Sequence, residues 1–138
     1  MKALILNSGL GFRMGVFTKE HPKCMTDISD TETILSRQLK LLVDAGIKEV
    51  VMTTGYFDEI LMEYSKSLNF PLEYTFVKNP IYDQTNYIYS IYCAREHLKN
   101  QDIILMKMMR RKKAEATRMK TKLHRYIKVK PWHSLKLK

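Results

Sequence analysis

The sequence contains few cysteines and no long hydrophobic run, and each scarcity excludes a class of protein. Two cysteines in 138 residues are too few for a disulfide-stabilised secreted domain, so each is interpreted as a packing residue. No run of about 18 apolar residues occurs, and a membrane-spanning helix is therefore not predicted. Only four apolar residues separate Lys2 from Asn7, which is too short for a signal peptide. We predict a cytoplasmic protein with one domain-sized core.

Glycine is also scarce, but it is concentrated in one place. Three of the five glycines, Gly9, Gly11 and Gly15, follow a short apolar run, Lys2–Leu6, that has the length of one buried strand. Their spacing, G-x-G-x-x-x-G, is not the dinucleotide fingerprint, and the G-K-[ST] of the P-loop is absent. Glycine allows backbone N–H groups to approach a ligand closely, so this bend is a candidate anion-binding loop.

Two cations flank the glycine-rich bend. Arg13 lies within it and Lys23 follows ten residues later. Positive side chains beside exposed N–H groups favour the binding of phosphate oxygens. The bend is therefore either a cradle for a triphosphate or a tight turn without a ligand, and the residues alone leave both interpretations open.

Charge divides the chain into two parts. Residues 1–105 contain 11 Lys and Arg against 13 Asp and Glu, whereas residues 106–138 contain 13 against 1. The net charge of +10 thus arises from the last 33 residues. We predict a folded part over residues 1–106 and a basic tail, disordered or partly helical, over residues 107–138.

Residues 1–105 alternate between strand-like and helix-like patterns. Strands are predicted over residues 2–6, 48–54, 72–77 and 102–106. The helices between them are one capped by Asp30 or Thr31 and ended by Gly46, one opened by Asp58, and one from about Thr85 to Lys99. This alternation predicts a three-layer α/β/α fold, Rossmann-like, with a mostly parallel sheet.

Polar residues also follow the third predicted strand. Thr85 either caps the next helix or, with Asn86 and Ser90, lies at the rim of a nucleotide pocket where amide and hydroxyl groups contact a base edge. Ligands bind beyond the carboxyl ends of parallel strands. The candidate site accordingly includes residues 7–13, 53–56, 79–86 and the segment after Met106.

Both segments resemble the signature of a known family. Gly9-Leu-Gly-Phe-Arg13 with Pro22-Lys23-Cys24 is similar to the nucleotidyltransferases that activate sugar phosphates, phosphocholine and related alcohol phosphates. Asn79-Pro and Thr85-Asn86-x-Ile-Tyr-Ser90 resemble its phosphocholine cytidylyltransferase branch. The sequence departs from the pattern at Asn7-Ser8, where Ala-Ala is usual, and at Tyr87, where a second Asn is usual.

The resemblance implies transfer of a nucleoside monophosphate, CMP from CTP in this branch, to an alcohol phosphate such as phosphocholine, with release of pyrophosphate. Arg13 would hold the β- and γ-phosphates and Lys23 would neutralise the α-phosphate, and these two are the predicted catalytic residues. The predicted nucleotide-binding residues are Leu6, Asn7, Ser8, Gly9, Leu10, Gly11, Arg13, Lys23, Gly55, Thr85, Asn86 and Ser90.

The resemblance also implies a Mg²⁺ ion held by an aspartate just after the fourth strand. Lys107 follows Met106 instead, and Asp102 lies at the start of that strand. A lysine offers no lone pair to a metal ion at neutral pH. The four histidines show no ligand spacing, so we predict no metal ligand in this chain.

The resemblance stops after Met106, whereas domains of this family continue with further strands, so it implies a sheet truncated after the fourth strand. The basic tail that follows has three interpretations. It is an arm that binds nucleic acid or an anionic membrane, a solvated extension without a partner, or a truncated or frame-shifted reading of a longer gene, which we favour. In the first case the alternative function is that of a non-catalytic basic protein that uses residues 107–138 to hold nucleic acid or anionic surfaces.

Overall fold

The computed structural model describes residues 1–9 and 20–107 in full and the backbone of residues 127–129. Its helices are α1 (Ile34–Asp44), α2 (Asp58–Ser67) and α3 (Tyr87–Ala94), with short 3-10 turns at Lys23–Met25 and Arg95–Leu98. Its strands are β1 (Lys2–Leu6), β2 (Glu49–Thr54), β3 (Glu73–Lys78), β4 (Ile103–Met106) and β5 (Ile127–Val129).

The strands form one sheet in the order β3-β2-β1-β4-β5. β1 to β4 are parallel, which confirms the predicted α/β class, and the predicted ends of these four strands differ from the observed ones by no more than one residue. β5 pairs with β4 in the antiparallel direction, within the segment predicted to be disordered or partly helical. This short strand was not predicted from the sequence.

Apolar residues pack on both faces of the sheet, which gives the three predicted layers. Along β1, Ala3 and Ile5 belong to a core cluster with residues of α1 and α2, whereas Leu4 belongs to a second cluster with Ala94 of α3. Successive side chains of a strand point to opposite faces. The central strand is therefore covered on both sides, and its carboxyl end is held rigidly next to those of β2 and β4.

The start of α1 differs from the prediction. Thr33, rather than Asp30 or Thr31, is the N-cap: its Oγ1 accepts from Ser36 N at 3.1 Å, and Ser36 Oγ accepts from Thr33 N at 2.9 Å. Asp30 and Thr31 lie in a turn closed by a hydrogen bond from Ile28 N to Glu32 O. Gly46 ends the helix as predicted, and its φ of 77° explains the choice of glycine.

The third helix is shorter than predicted. α3 begins after Asn86, whose Oδ1 accepts from Ile88 N at 3.0 Å, so Asn86 and not Thr85 is the cap. At its other end α3 tightens into the 3-10 turn Arg95–Leu98 before the chain reaches β4. Both ends therefore lie inside the predicted range.

Several predictions fall outside the part of the chain that the structure describes. These are the proposed contacts of Leu10, Gly11 and Arg13 and most of the basic tail. Within residues 1–9 and 20–107, none of the helices is long and apolar enough to cross a membrane.

Candidate functional site

A partly open cleft of about 280 Å³ lies at the carboxyl edge of the parallel strands. The segments after β1, β3 and β4 border it, together with the start of α3 and the turn at Lys23–Met25. This is the edge at which open α/β sheets bind ligands. Its described lining consists of Leu6, Asn7, Ser8, Gly9, Pro22, Lys23, Cys24, Asn79, Tyr82, Thr85, Asn86, Tyr87, Ser90 and Lys107.

Buried hydroxyl groups join the end of β1 to β2 and α3. Ser8 Oγ lies 2.9 Å from Thr53 Oγ1 and 2.8 Å from Ser90 Oγ, and all three residues are buried. Buried polar groups that are hydrogen-bonded to one another restrict the positions of the chains that carry them. These contacts fix the backbone at Ser8, where the glycine-rich bend begins, against the helix that follows β3.

Asn79 connects the same network to β3. Its Nδ2 donates to Thr85 Oγ1 at 3.0 Å and to Ser90 Oγ at 3.1 Å, while its Oδ1 accepts from Ile81 N at 3.0 Å. The side chain is 1% exposed. The sequence placed Asn79 within the candidate segment 79–86, and the Asn79-Pro dipeptide carried part of the resemblance, but Asn79 was not predicted to contact the nucleotide. Its position shows a supporting role behind the cleft wall.

Thr85 has fewer free hydrogen-bonding groups than the sequence suggested. Its hydroxyl donates to Ile81 O at 2.8 Å and accepts from Asn79 Nδ2. The one hydroxyl proton is thus engaged within the loop and is not available to a base. Of the three residues expected to contact a base edge, Thr85, Asn86 and Ser90, Asn86 is the most exposed, and its Oδ1 caps α3.

Gly55 does not line the cleft but packs against two residues that do, Ser8 and Tyr82. A Cβ atom at this position would lie 2.4 Å from the carbonyl oxygen of Ser8 and 3.1 Å from Cγ of Tyr82. A contact of 2.4 Å with a backbone atom cannot be accommodated without moving the chain. The glycine therefore permits the close approach of the segments that follow β1 and β2.

Asn7 and Gly9, on either side of Ser8, differ in burial and in hydrogen bonding. Asn7 N donates to Thr53 O at 3.1 Å, but the buried Nδ2 of Asn7 has no hydrogen-bond partner among the described residues. Gly9 is exposed, and no atom in the described part of the chain lies within 4 Å of the position its Cβ would occupy. The exposed backbone at Gly9 suits an anionic ligand, whereas the amide nitrogen of Asn7 is a buried donor in the cleft wall.

Two lysines supply positive charge to the cleft. Lys23 begins the short turn Lys23–Met25, and Lys107 follows β4 directly. Lys107 Nζ lies 3.2 Å from the centroid of the Tyr87 ring, a cation–π contact, and partial burial lowers the pKa of this lysine below its ordinary value. Lys107 and Tyr87 were noted in the sequence as departures from the family pattern, and the structure places them in contact.

The described residues of the cleft do not fit a metal ion held by carboxylates. The described lining contains no aspartate or glutamate, and residues 1–9 and 20–107 contain no cluster of three or more His, Cys, Asp and Glu side chains. Mg²⁺ is usually bound by one or two carboxylates together with substrate phosphates and water.

Cys24 lies buried in the cleft wall. The residue is 1% exposed, and burial raises the pKa of its thiol to about 12. A thiol with such a pKa is neutral at physiological pH, and the thiolate is the reactive form. The interpretation of Cys24 as a packing residue agrees with this geometry.

The structure gathers most of the predicted nucleotide-binding residues in one place. Four of the twelve do not line the cleft: Gly55 lies behind the lining, and Leu10, Gly11 and Arg13 fall outside the described residues. Those that line the cleft are Leu6, Asn7, Ser8, Gly9, Lys23, Thr85, Asn86 and Ser90.

The fold and the cleft together define a class of protein, and a comparison with protein families identifies it. The MobA-like NTP transferase domain matches residues 3–108. The chain therefore belongs to this family of nucleotidyltransferases.

Curated relatives match the same part of the chain. The chain is 32% identical over 110 residues to the CTP:phosphoglutamine cytidylyltransferase of Campylobacter jejuni, a match that covers 76% of this chain and 42% of the relative. It is 31% identical over 108 residues to the choline-phosphate cytidylyltransferase of Streptococcus pneumoniae, covering 75% and 43%. The chain thus spans less than half the length of these curated relatives.

Solved structures agree with this assignment. The CTP:phosphocholine cytidylyltransferase from Streptococcus pneumoniae superposes with a TM-score of 0.62 and 26% identity, over 79% of this chain and 46% of that one. A UDP-glucose pyrophosphorylase complexed with UDP-glucose gives a TM-score of 0.67 at 19% identity, over 77% and 44%. The second likeness is one of fold alone.

Proposed function

We propose that the cleft binds a nucleoside triphosphate, CTP in preference to other nucleotides, for transfer of CMP to an alcohol phosphate such as phosphocholine. The observation that carries the proposal is the buried network of Ser8, Ser90 and Asn79, which fixes both segments of the family signature around one cleft. Support for the cytidylyl group comes from the relatives, two of which act with CTP or on choline phosphate by name.

The reaction needs no nucleophile from the protein. An oxygen of the acceptor phosphate attacks the α-phosphorus of the triphosphate, a new P–O bond forms, and the bond to the departing pyrophosphate breaks with its electron pair on pyrophosphate. Catalysis then depends on in-line positioning and on positive charge near the phosphates. The buried, neutral thiol of Cys24 is consistent with such a direct displacement.

Each part of the cleft has a role in this proposal. The exposed backbone at Gly9 donates to phosphate oxygens, and Asn7 lines the cleft beside it. Lys23 and Lys107 offset the negative charge of the triphosphate, and Arg13 is expected to hold the β- and γ-phosphates. Asn86, at the start of α3, faces the base end of the cleft in this arrangement.

The first test is direct binding. Isothermal titration calorimetry of the full chain with CTP, UTP, GTP and ATP should give the lowest Kd for CTP, and addition of phosphocholine to the CTP sample should release pyrophosphate. Ser90→Ala removes a buried hydroxyl from the network, and we expect about tenfold weaker CTP binding. Ser67→Ala, which removes an exposed serine hydroxyl from α2, is the matched control. No binding of any nucleotide would reject the proposal.

The alternative function rests on the concentration of charge after Met106. Thirteen of the 24 Lys and Arg residues lie in residues 106–138, which is the expected footprint of a nucleic-acid-binding arm. Replacement of all four basic residues at 110–113 by glutamine should weaken a salt-sensitive interaction with unrelated DNA if this function exists. Tight CTP binding that is unchanged in the same variant favours the enzyme.

A further inference from the structure

The nucleotide cleft carries cations where a metal-dependent site needs anions. The inference rests on the proposed function and concerns the counter-charge for the triphosphate. The lining that the structure describes includes Lys23 and Lys107 and no carboxylate. The segments outside the fully described residues contain few carboxylates: residues 10–19 contain no Asp or Glu, and residues 108–138 contain only Glu115.

Lys107 is placed by the sheet itself. In the parallel pairing of β1 with β4, Ile5 lies opposite Met106, so Lys107 follows at the level of Leu6, where β1 enters the cleft. Met106 is 2% exposed, which anchors the residue before Lys107 in the core. The ammonium group of Lys107 therefore starts from a fixed point at the edge of the sheet.

The ring of Tyr87 then directs this side chain. Lys107 Nζ lies 3.2 Å from the ring centroid, and Tyr87 is the first residue of α3, directly after the capping residue Asn86. A cation over the face of an aromatic ring is attracted by the ring quadrupole. One ammonium group is thus held between the end of β4 and the start of α3, and both Lys107 and Tyr87 line the cleft.

We propose that this cleft binds the metal-free triphosphate, with Lys107 supplying the positive charge that a divalent cation would otherwise supply. A triphosphate without metal carries more negative charge than its magnesium complex, and Coulomb attraction to two lysines is correspondingly stronger. The magnesium complex, in contrast, finds no carboxylate in the described lining and meets ammonium groups instead. Nucleotide binding therefore does not require Mg²⁺, and Tyr87 is a positioning residue for Lys107.

The test compares CTP binding by the full chain in EDTA with binding in excess Mg²⁺, measured by isothermal titration calorimetry. We expect an affinity in EDTA equal to or higher than that in Mg²⁺. Binding that appears only with Mg²⁺ overturns this inference and leaves the proposed function intact. Absence of binding under both conditions overturns the two together.

Variants at Lys107 test the residue. In EDTA, Lys107→Ala should bind CTP about tenfold more weakly, since a hydrogen bond to a charged group is lost. Lys40→Ala, which removes an exposed lysine from α1, should bind as the parent does. Lys107→Asp should reverse the metal preference, because it removes the cation and adds a carboxylate. Unchanged binding in both Lys107 variants overturns the role of this residue.

Variants at Tyr87 test the positioning. Tyr87→Phe retains the ring and should bind as the parent does, whereas Tyr87→Ala should weaken metal-free binding by about two- to fivefold. In Lys107→Ala the same Tyr87→Ala change should have no further effect on affinity, since no cation remains to be positioned. An equal loss in both backgrounds, or a loss in Tyr87→Phe, shows that Tyr87 acts independently of Lys107.

Discussion

The two sides of the cleft are built on different physical principles. Where β1, β3 and α3 meet, the small polar residues Ser8, Asn79 and Ser90 are buried and hydrogen-bonded to one another. On the side of β4, one lysine is held over an aromatic ring at the surface. Removing a member of a buried network leaves its partners unsatisfied, whereas removing an exposed cation leaves water in its place. The first side should therefore control stability and binding together, and the second binding alone.

The largest effect is expected from Gly55→Ala. The new methyl group would lie 2.4 Å from the carbonyl oxygen of Ser8, so the backbone must shift, and we expect a loss of about 3 kcal/mol in the free energy of unfolding. Gly9→Ala adds the same methyl group where the described structure has open space, and should leave the stability within about 0.5 kcal/mol of the parent. Urea denaturation of both variants measures the difference. Equal stability of the two would contradict the close approach at Gly55.

The next largest effect is expected from Asn79→Ala. This change removes three hydrogen bonds, leaves Ile81 N without its partner and leaves Ser90 Oγ bonded to Ser8 alone, so we expect a loss of about 2 kcal/mol in stability. Affinity for CTP should fall as well, because the network that fixes Ser8 is broken. Lys107→Ala provides the comparison, with weakened CTP binding at parental stability. If Asn79→Ala alters neither quantity, the two sides of the cleft do not differ as described.

The sequence predicted the strands well and the long-range contacts poorly. Strand positions follow from local apolar runs, and the parallel order follows from short links between alternating elements. The network at Asn79 could not be derived in this way, since it depends on how β1, β3 and α3 meet in space. The contact of Lys107 with Tyr87 joins residues 20 apart in the sequence, and only the register of β4 against β1 reveals it.

Helix termini and β5 show a second limit of local reasoning. Asp30, Thr31 and Thr33 all carry side-chain oxygens suited to an N-cap, and the choice is made by the turn that residues 28–32 form. β5, Ile127–Val129, has only three residues, too few to establish an alternating pattern within a lysine-rich segment. In both cases contacts with a neighbouring segment, the turn before α1 or the strand β4, determine a local structure that the sequence alone does not specify.

The smallest effect is expected from Thr33→Ala, which lies outside both sides of the cleft. Loss of the N-cap of α1 should reduce the free energy of unfolding by about 1 kcal/mol. Thr31→Ala, at a position that the sequence had favoured as the cap, is the matched control and should be neutral, because Thr31 is exposed and lies in the preceding turn. Affinity for CTP should be unchanged in both variants.

Comparison of Thr33→Ala with Asn79→Ala separates general destabilisation from a specific loss of CTP binding. If Thr33→Ala weakened CTP binding as much as Asn79→Ala does, reduced stability alone would explain the binding defect, and the network would have no specific role in holding the cleft. Parental affinity in Thr33→Ala, measured by calorimetry well below its unfolding temperature, assigns the defect of Asn79→Ala to the hydrogen bonds around Ser8 and Ser90.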